Sequence, residues 1–208
     1  MVNIKDQYGT GEVVLLAQDE DGYVNLSYLI SDALMAAEGG EDAAIDITDL
    51  QARHQGLILL TGGAIDGFIG ASCADNQMKR ASDRLAFLSE FMKERIYIEL
   101  QRHGHNEERI AEPALLKLAD ETGLPLVATN DNHFEDGPMQ AAQNVLTCIA
   151  SGTRISQLDR PIHNAEYRYK TAQEMAEIFA DIPEAIHNSL VIAKRCAFMV
   201  PSLSLIHI

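Results

Sequence analysis

Apolar residues recur along this chain in short β-favouring runs with amphipathic stretches between them, a pattern that predicts an α/β fold built on parallel strands. The clearest strands are 12–18 (EVVLLAQ), 57–61 (LILLT), 95–101 (RIYIELQ) and 126–130 (LVATN), with 2–5 as a further candidate. Leu26, Leu29, Ile30, Ala33 and Leu34 follow the i, i+3, i+4, i+7, i+8 spacing that gathers one helical face. Met78, Ala81, Leu85, Leu88 and Met92 place a second apolar stripe on a longer helix. Both stripes read as core rather than as cofactor contacts. Segment 38–44 reads as a loop, and a short helix is expected to start at Thr48, with Gln51 as its capping-box partner, and to stop at Gly56.

The best-defined unit is the strand at 95–101, a helix over 107–122 ended by Gly123, and the strand from Leu126. That order is a β-α-β crossover, so the two strands should lie parallel with the helix on one sheet face. Pro113 falls inside the helix and is expected to kink it or to mark a late start. Beyond residue 140 the pattern turns helical: 140–150, then a helix capped by Thr171 with Glu174 as partner, then one entered through Pro183.

At 208 residues and 47% hydrophobic content, the chain can bury one domain-sized core. No apolar run reaches the ~18 residues of a membrane-spanning helix, and the start MVNIKDQYGTGE has no signal-peptide character; a cytoplasmic setting is expected. Cys73, Cys148 and Cys196 are far apart and form no C-x-x-C pair, which argues against a disulfide framework and a zinc ribbon. The formal net charge of −15 opposes direct binding to a phosphate backbone. No G-x-S-x-G, P-loop or C-x-x-C motif is present. The last six residues, 203–208 (LSLIHI), read as a non-native tail translated from sequencing-adapter DNA, and they are left out of the fold prediction.

Five segments in order, VVLLAQDEDGYVNLSYLIS (13–31), GLILLTGG (56–63), RIYIELQRHG (95–104), GLPLVATNDNHF (123–134) and FADIPEAIHNSLVIAKRC (179–196), resemble the amino-terminal polymerase and histidinol phosphatase (PHP) domain of bacterial DNA polymerase III alpha subunits. The resemblance implies a partial distorted (β/α)7 TIM-like barrel over residues 1–200 with a helical carboxyl-terminal stretch. It also implies that the domain's amino-terminal third and the polymerase core lie outside the chain. In that family a centre holding up to three metal ions (zinc, manganese or magnesium) sits at the carboxyl ends of the strands.

Carried over by position, Asp131 and His133 in the NDNH turn match the family's last ligand pair. A D-x-H at a strand end can aim a carboxylate and an imidazole at one ion. Glu12 stands where the family has a histidine, and Gly63 stands where it often has a cysteine; glycine has no donor. The resemblance therefore implies a vestigial site and no cofactor in this chain. His103 and His105 form an H-x-H at a place that matches no family ligand, and they read as turn histidines beside Gly104. His54, His163 and His187 lack ligand spacing and read as surface or capping residues.

Three functions compete at this point. The first is a structural and partner-binding piece of the polymerase subunit, contacting the rest of that subunit and the proofreading exonuclease subunit, with DNA reached only through the whole holoenzyme. The second is a metal-dependent phosphoesterase or 3'-5' exonuclease using Asp131 and His133. The third is a free-standing α/β protein that merely shares the fold. A barrel without its first strands would leave two unpaired edges, so self-association is expected when the chain is expressed alone.

Overall fold

The computed structural model describes residues 1–37, 42–157 and 162–200. The tail at 203–208 lies outside them, as does most of the loop expected at 38–44. The architecture is mixed α/β. Six strands, β1 (Val2–Asp6), β2 (Gly9–Ala17), β3 (Ala44–Asp46), β4 (Leu57–Leu60), β5 (Ile96–Leu100) and β6 (Leu126–Ala128), form one sheet in the order β3-β1-β2-β4-β5-β6.

The expected parallel pairing holds for β4 with β5 and for β5 with β6, whereas β1 with β2 and β2 with β4 are antiparallel. The reason is local. Asp6 pairs with Gly9 across a two-residue turn, and a connection that short can only join antiparallel strands. Strand β2 therefore begins at Gly9 rather than at residue 12, and Glu12 lies within it. Strand β3 was not anticipated; three residues are too few to display a period.

Eight helices accompany the sheet among the described residues: α1 (Glu20–Ala36), α2 (Ile47–Ala52), α3 (Gly70–Ala74), α4 (Met78–Met92), α5 (Asn106–Thr122), α6 (Gln140–Ala150), α7 (Ala172–Ile178) and α8 (Pro183–Arg195). Helix α2 is capped by Asp46 rather than by Thr48. The Asp46 carboxylate accepts the Thr48 N–H at 2.9 Å and the Thr48 hydroxyl at 2.6 Å, because the chain already turns at the end of β3. On α1 only part of the predicted stripe turns inward: Leu29 is buried, while Ile30 and Leu34 are exposed. The α4 stripe packs as its spacing predicts, with Ala81, Leu85, Leu88 and Met92 buried.

Helix α5 runs unbroken through Pro113 from Asn106, so the late start is not realised. The proline sits on the exposed side, where water can take the carbonyl that the missing N–H leaves unpaired. Gly123 ends the helix at φ +70°, a conformation that suits glycine. The Thr171 and Glu174 capping box on α7 and the Pro183 start of α8 form as read from the sequence.

The central strands are apolar on both faces, which produces their continuous hydrophobic runs. Leu57, Leu59, Ile96, Ile98 and Leu100 join the large core with residues of α4 and α5. Ile58, Leu60, Tyr97 and Val127 point the other way and meet Ile192 of α8. Arg84 of α4 ties the β1-β2 hairpin to this body. Its guanidinium donates to both Asp6 oxygens at 2.8 and 2.9 Å, to the Phe68 carbonyl at 2.7 Å and to the Gly9 carbonyl at 2.9 Å. It also lies 3.8 Å from the centroid of the Phe68 ring. No helix among the described residues is long and apolar enough to cross a membrane.

Candidate functional site at the carboxyl edge of the sheet

The parallel strands β4, β5 and β6 end on the same side, and the chain that follows each one carries polar side chains. After β4, the 61–69 segment folds back onto β2: the Glu12 N–H donates to the Asp66 carbonyl at 2.7 Å, and the Phe68 N–H donates to the Glu12 carbonyl at 2.8 Å. This sets Glu12 at the same edge as the end of β4, since β2 runs antiparallel to it.

Glu99 is the one charged residue in the apolar run of β5 and is 2% exposed. Its carboxyl accepts from the Gly62 N–H at 3.1 Å, from the Gln101 amide at 3.0 Å and from the Thr129 hydroxyl, tying together the ends of all three strands. Burial pushes its titration up, and the nearby Asp131 charge adds to the push against these three donors. Glu12 is pushed up as well, first by burial and then by Asp66 and Asp131. Glu12, Asp66, Glu99 and Asp131 thus form one electrostatically connected acidic group.

After β6, the segment 130–134 is held against 166–169. The His133 N–H donates to the Tyr167 carbonyl at 2.9 Å, the Tyr169 N–H to the Phe134 carbonyl at 2.8 Å, and the Asn130 amide to the Arg168 carbonyl at 2.9 Å. Within this clamp the His133 Nε2–H donates to the Asp131 carboxylate at 2.9 Å, so the predicted pair is brought together.

The histidines follow the sequence reading only in part. His103 stands in the turn beside Gly104 as read, but it is 2% exposed and stacks on Tyr167 with ring centroids 4.1 Å apart and planes 8° apart. Its Nδ1–H donates to Glu108 at 2.9 Å, and Glu108 also accepts the His103 and His105 backbone N–H groups. His103 Nε2 has no hydrogen-bond partner among the described residues. His105 Nε2 lies 3.1 Å from the Tyr167 hydroxyl. His163, read as a surface or capping residue, packs on His133 with centroids 3.9 Å apart, and burial pushes its titration down. Burial beside Glu108, Asp131 and Asp66 pushes the Tyr167 phenol up to about 12, so it stays neutral at ordinary pH.

His187 is exposed as expected. His54 is half-buried, with Nδ1 2.7 Å from an Arg95 guanidinium nitrogen, remote from this cluster in its contacts. Asp66, Glu99, Gln101 and Tyr167 were missed by sequence reasoning. Glu99 alone carried a signal, as a lone charge inside an apolar strand.

Among the described residues no three His, Cys, Asp or Glu side chains converge as a metal-holding group, whereas catalytic zinc takes about three protein ligands. Asp131 and His133 are bonded to each other. At Gly63, a Cβ would lie 2.3 Å from Gln101 Oε1, so the Gln101 amide fills the space that a side chain there would enter.

Residues 2–103 match the family model described as "PHP domain". This part of the chain belongs to the PHP domain family. The chain is similar to proteins named "DNA polymerase III subunit alpha": 41% identical over 188 residues to that of Caulobacter vibrioides, 37% over 185 to that of Escherichia coli K12 and 34% over 186 to that of Borreliella burgdorferi. These matches cover 90%, 88% and 88% of this PHP-containing chain, and the chain spans 16% of the length of each relative.

Proposed function

We propose that this chain serves as the PHP region of a bacterial replicative DNA polymerase III alpha subunit, with a structural and partner-binding role and a degenerate metal site. The observation that carries the reading is the 41% identity over 90% of the chain to a protein of that name. In this proposal residues 1–200 form a partial distorted (β/α)7 TIM-like barrel, with the observed sheet as its preserved wall. Its partners are the rest of the alpha subunit and the proofreading exonuclease subunit, in the cytoplasm, and DNA is reached only through the holoenzyme.

The polar edge supports a structural role. The Glu99, Gln101 and Thr129 network and the 130–134 clamp hold strand ends in place with hydrogen bonds among the chain's own residues. A degenerate site needs no cofactor. Zinc, manganese or magnesium would belong here only if the alternative held, a metal-dependent phosphoesterase or 3'-5' exonuclease with Asp131, His133 and Glu12 as ligands. One observation favours that alternative: burial first, and then the Asp66 and Asp131 charges, raise the Glu12 titration, and a cation would relieve the repulsion among these carboxylates.

Incubating the chain with nitrophenyl phosphate and with a 3'-recessed DNA duplex, each with manganese added, separates the two readings. The structural reading expects no turnover, together with measurable binding to a proofreading exonuclease subunit by calorimetry. Hydrolysis that Asp131→Ala abolishes would establish the enzyme instead.

A further inference from the structure

Helix α6 is turned inside out relative to an ordinary surface helix. Its exposed positions, 141, 142, 145, 146, 149 and 150, are all alanine or branched aliphatic residues, with Val145 42%, Leu146 59% and Ile149 71% exposed. Its polar side faces the protein. The Gln140 amide donates to the His163 carbonyl at 2.9 Å, and the His163 N–H donates to Asn144 at 3.2 Å. These bonds fix the roll of the helix, so it cannot bury the aliphatic stripe by turning. Met139 at one end and Ile155 at the other extend the apolar surface. Among the described residues nothing covers it. A contiguous exposed apolar face of this kind marks an interaction surface.

We infer that this face pairs with the same face of a second copy of the chain, as an isologous antiparallel helix pair centred on Val145. The charges point to that occupant. The chain carries a net −15, yet α6 contains no ionisable side chain except the buried Cys148 thiol, so two copies meet here at the least electrostatic cost. Glu135 and Asp136 precede the helix and Arg154 follows it. Antiparallel pairing brings each acidic end over the partner's basic end and opposes the two helix dipoles. A lipid surface is disfavoured, because interfacial helices that bind anionic membranes carry Lys and Arg along their polar face and α6 has neither. The self-pairing of α6 is independent of whether the carboxyl edge of the sheet holds metal.

Eleven residues of helix span about 16 Å, and so short a contact falls below the about 1,200 Å² of a tight interface. Association is therefore expected on the order of 10–100 µM. Sedimentation of the full chain from about 1 to 300 µM should show the mass rising from monomer to dimer. Leu146→Glu combined with Ile149→Glu should remain monomeric throughout with an unchanged far-UV spectrum. Arg154→Glu should weaken pairing severalfold, and adding Glu135→Arg should restore it. A monomer at every concentration, or a dimer that survives the paired glutamates with α6 still folded, overturns the proposal. Failure of the charge swap to restore pairing overturns the antiparallel arrangement.

Discussion

Arg84→Met tests how the hairpin and the 61–69 segment are held beneath the candidate site. Arg84 is 3% exposed, and methionine preserves most of its aliphatic length while deleting five donated hydrogen bonds, the fifth a long one to the Ser72 hydroxyl at 3.5 Å. The Gly9 carbonyl is at an exposed turn and can turn to water, but the Phe68 carbonyl loses a buried bond, about 1–3 kcal/mol. Asp6, with its side chain 10% exposed, loses its counter-charge. Loss of the guanidinium over the Phe68 ring adds about 1 kcal/mol. Breaking a buried pair by removing one partner costs about 3–5 kcal/mol, and the parts here are consistent with that range.

Urea denaturation of wild type and variant at pH 7 should show the loss as a lower midpoint with an unchanged slope. Burial pushes the Asp6 titration up, but the Arg84 hydrogen bonds and charge and the Tyr8 N–H more than offset it, so the net direction is down. A depressed carboxyl contributes stability above its unfolded pKa and loses it as pH falls through its folded pKa. The gap between wild type and variant should therefore narrow in acid. A loss below about 1 kcal/mol at pH 7, or a gap independent of pH, would refute the reasoning.

Glu108→Ala leaves two backbone N–H groups and the buried His103 imidazole without their acceptor; a loss of about 3 kcal/mol in thermal or urea unfolding is expected. Burial raises the Glu108 titration and the His103 and His105 donors more than reverse it, so its contribution disappears as pH falls, and the variant's acid limb should be flatter. Glu12 has the opposite sign: burial, Asp66 and Asp131 raise it, so the penalty for ionising it grows as pH climbs from its unfolded value of about 4.5 toward the folded one. Glu12→Gln should stabilise the chain by about 0.5 kcal/mol at pH 8, with the gain vanishing near pH 4 in a melting series. Gly123→Ala, at φ +70° with open space around the new methyl, should cost about 1 kcal/mol from backbone strain alone, read as a lower melting temperature.

Much of the fold is written in local pattern. The β5-α5-β6 crossover, the α4 stripe, the Gly123 stop and the Thr171 cap each depend on residues within one or two turns of one another, and each formed as read. The antiparallel β1-β2 hairpin and the short β3 were less legible. The hairpin register comes from a turn with no Asn-Gly signal, and β3 is too brief to show alternation.

The candidate site was only partly readable for a different reason. Asp131 and His133 are neighbours in sequence and appear as a motif, but their surroundings come from residues far along the chain. His163 reaches His133 from thirty positions away, and Tyr167 stacks on His103 across sixty-four. No spacing rule links such partners. The Gln101 amide in front of Gly63 is equally invisible without coordinates. On α6 the helix itself was evident, while the direction of its apolar face was not; the sequence alone would place that stripe inward.

The most direct test is the metal content of the purified chain together with its melting temperature before and after chelation. A hydrogen-bonded carboxyl edge predicts zinc, manganese and magnesium well below one ion per chain and a melting temperature that EDTA leaves unchanged. One or more tightly held ions per chain, lost on Asp131→Ala and accompanied by a lower melting temperature after chelation, would contradict it.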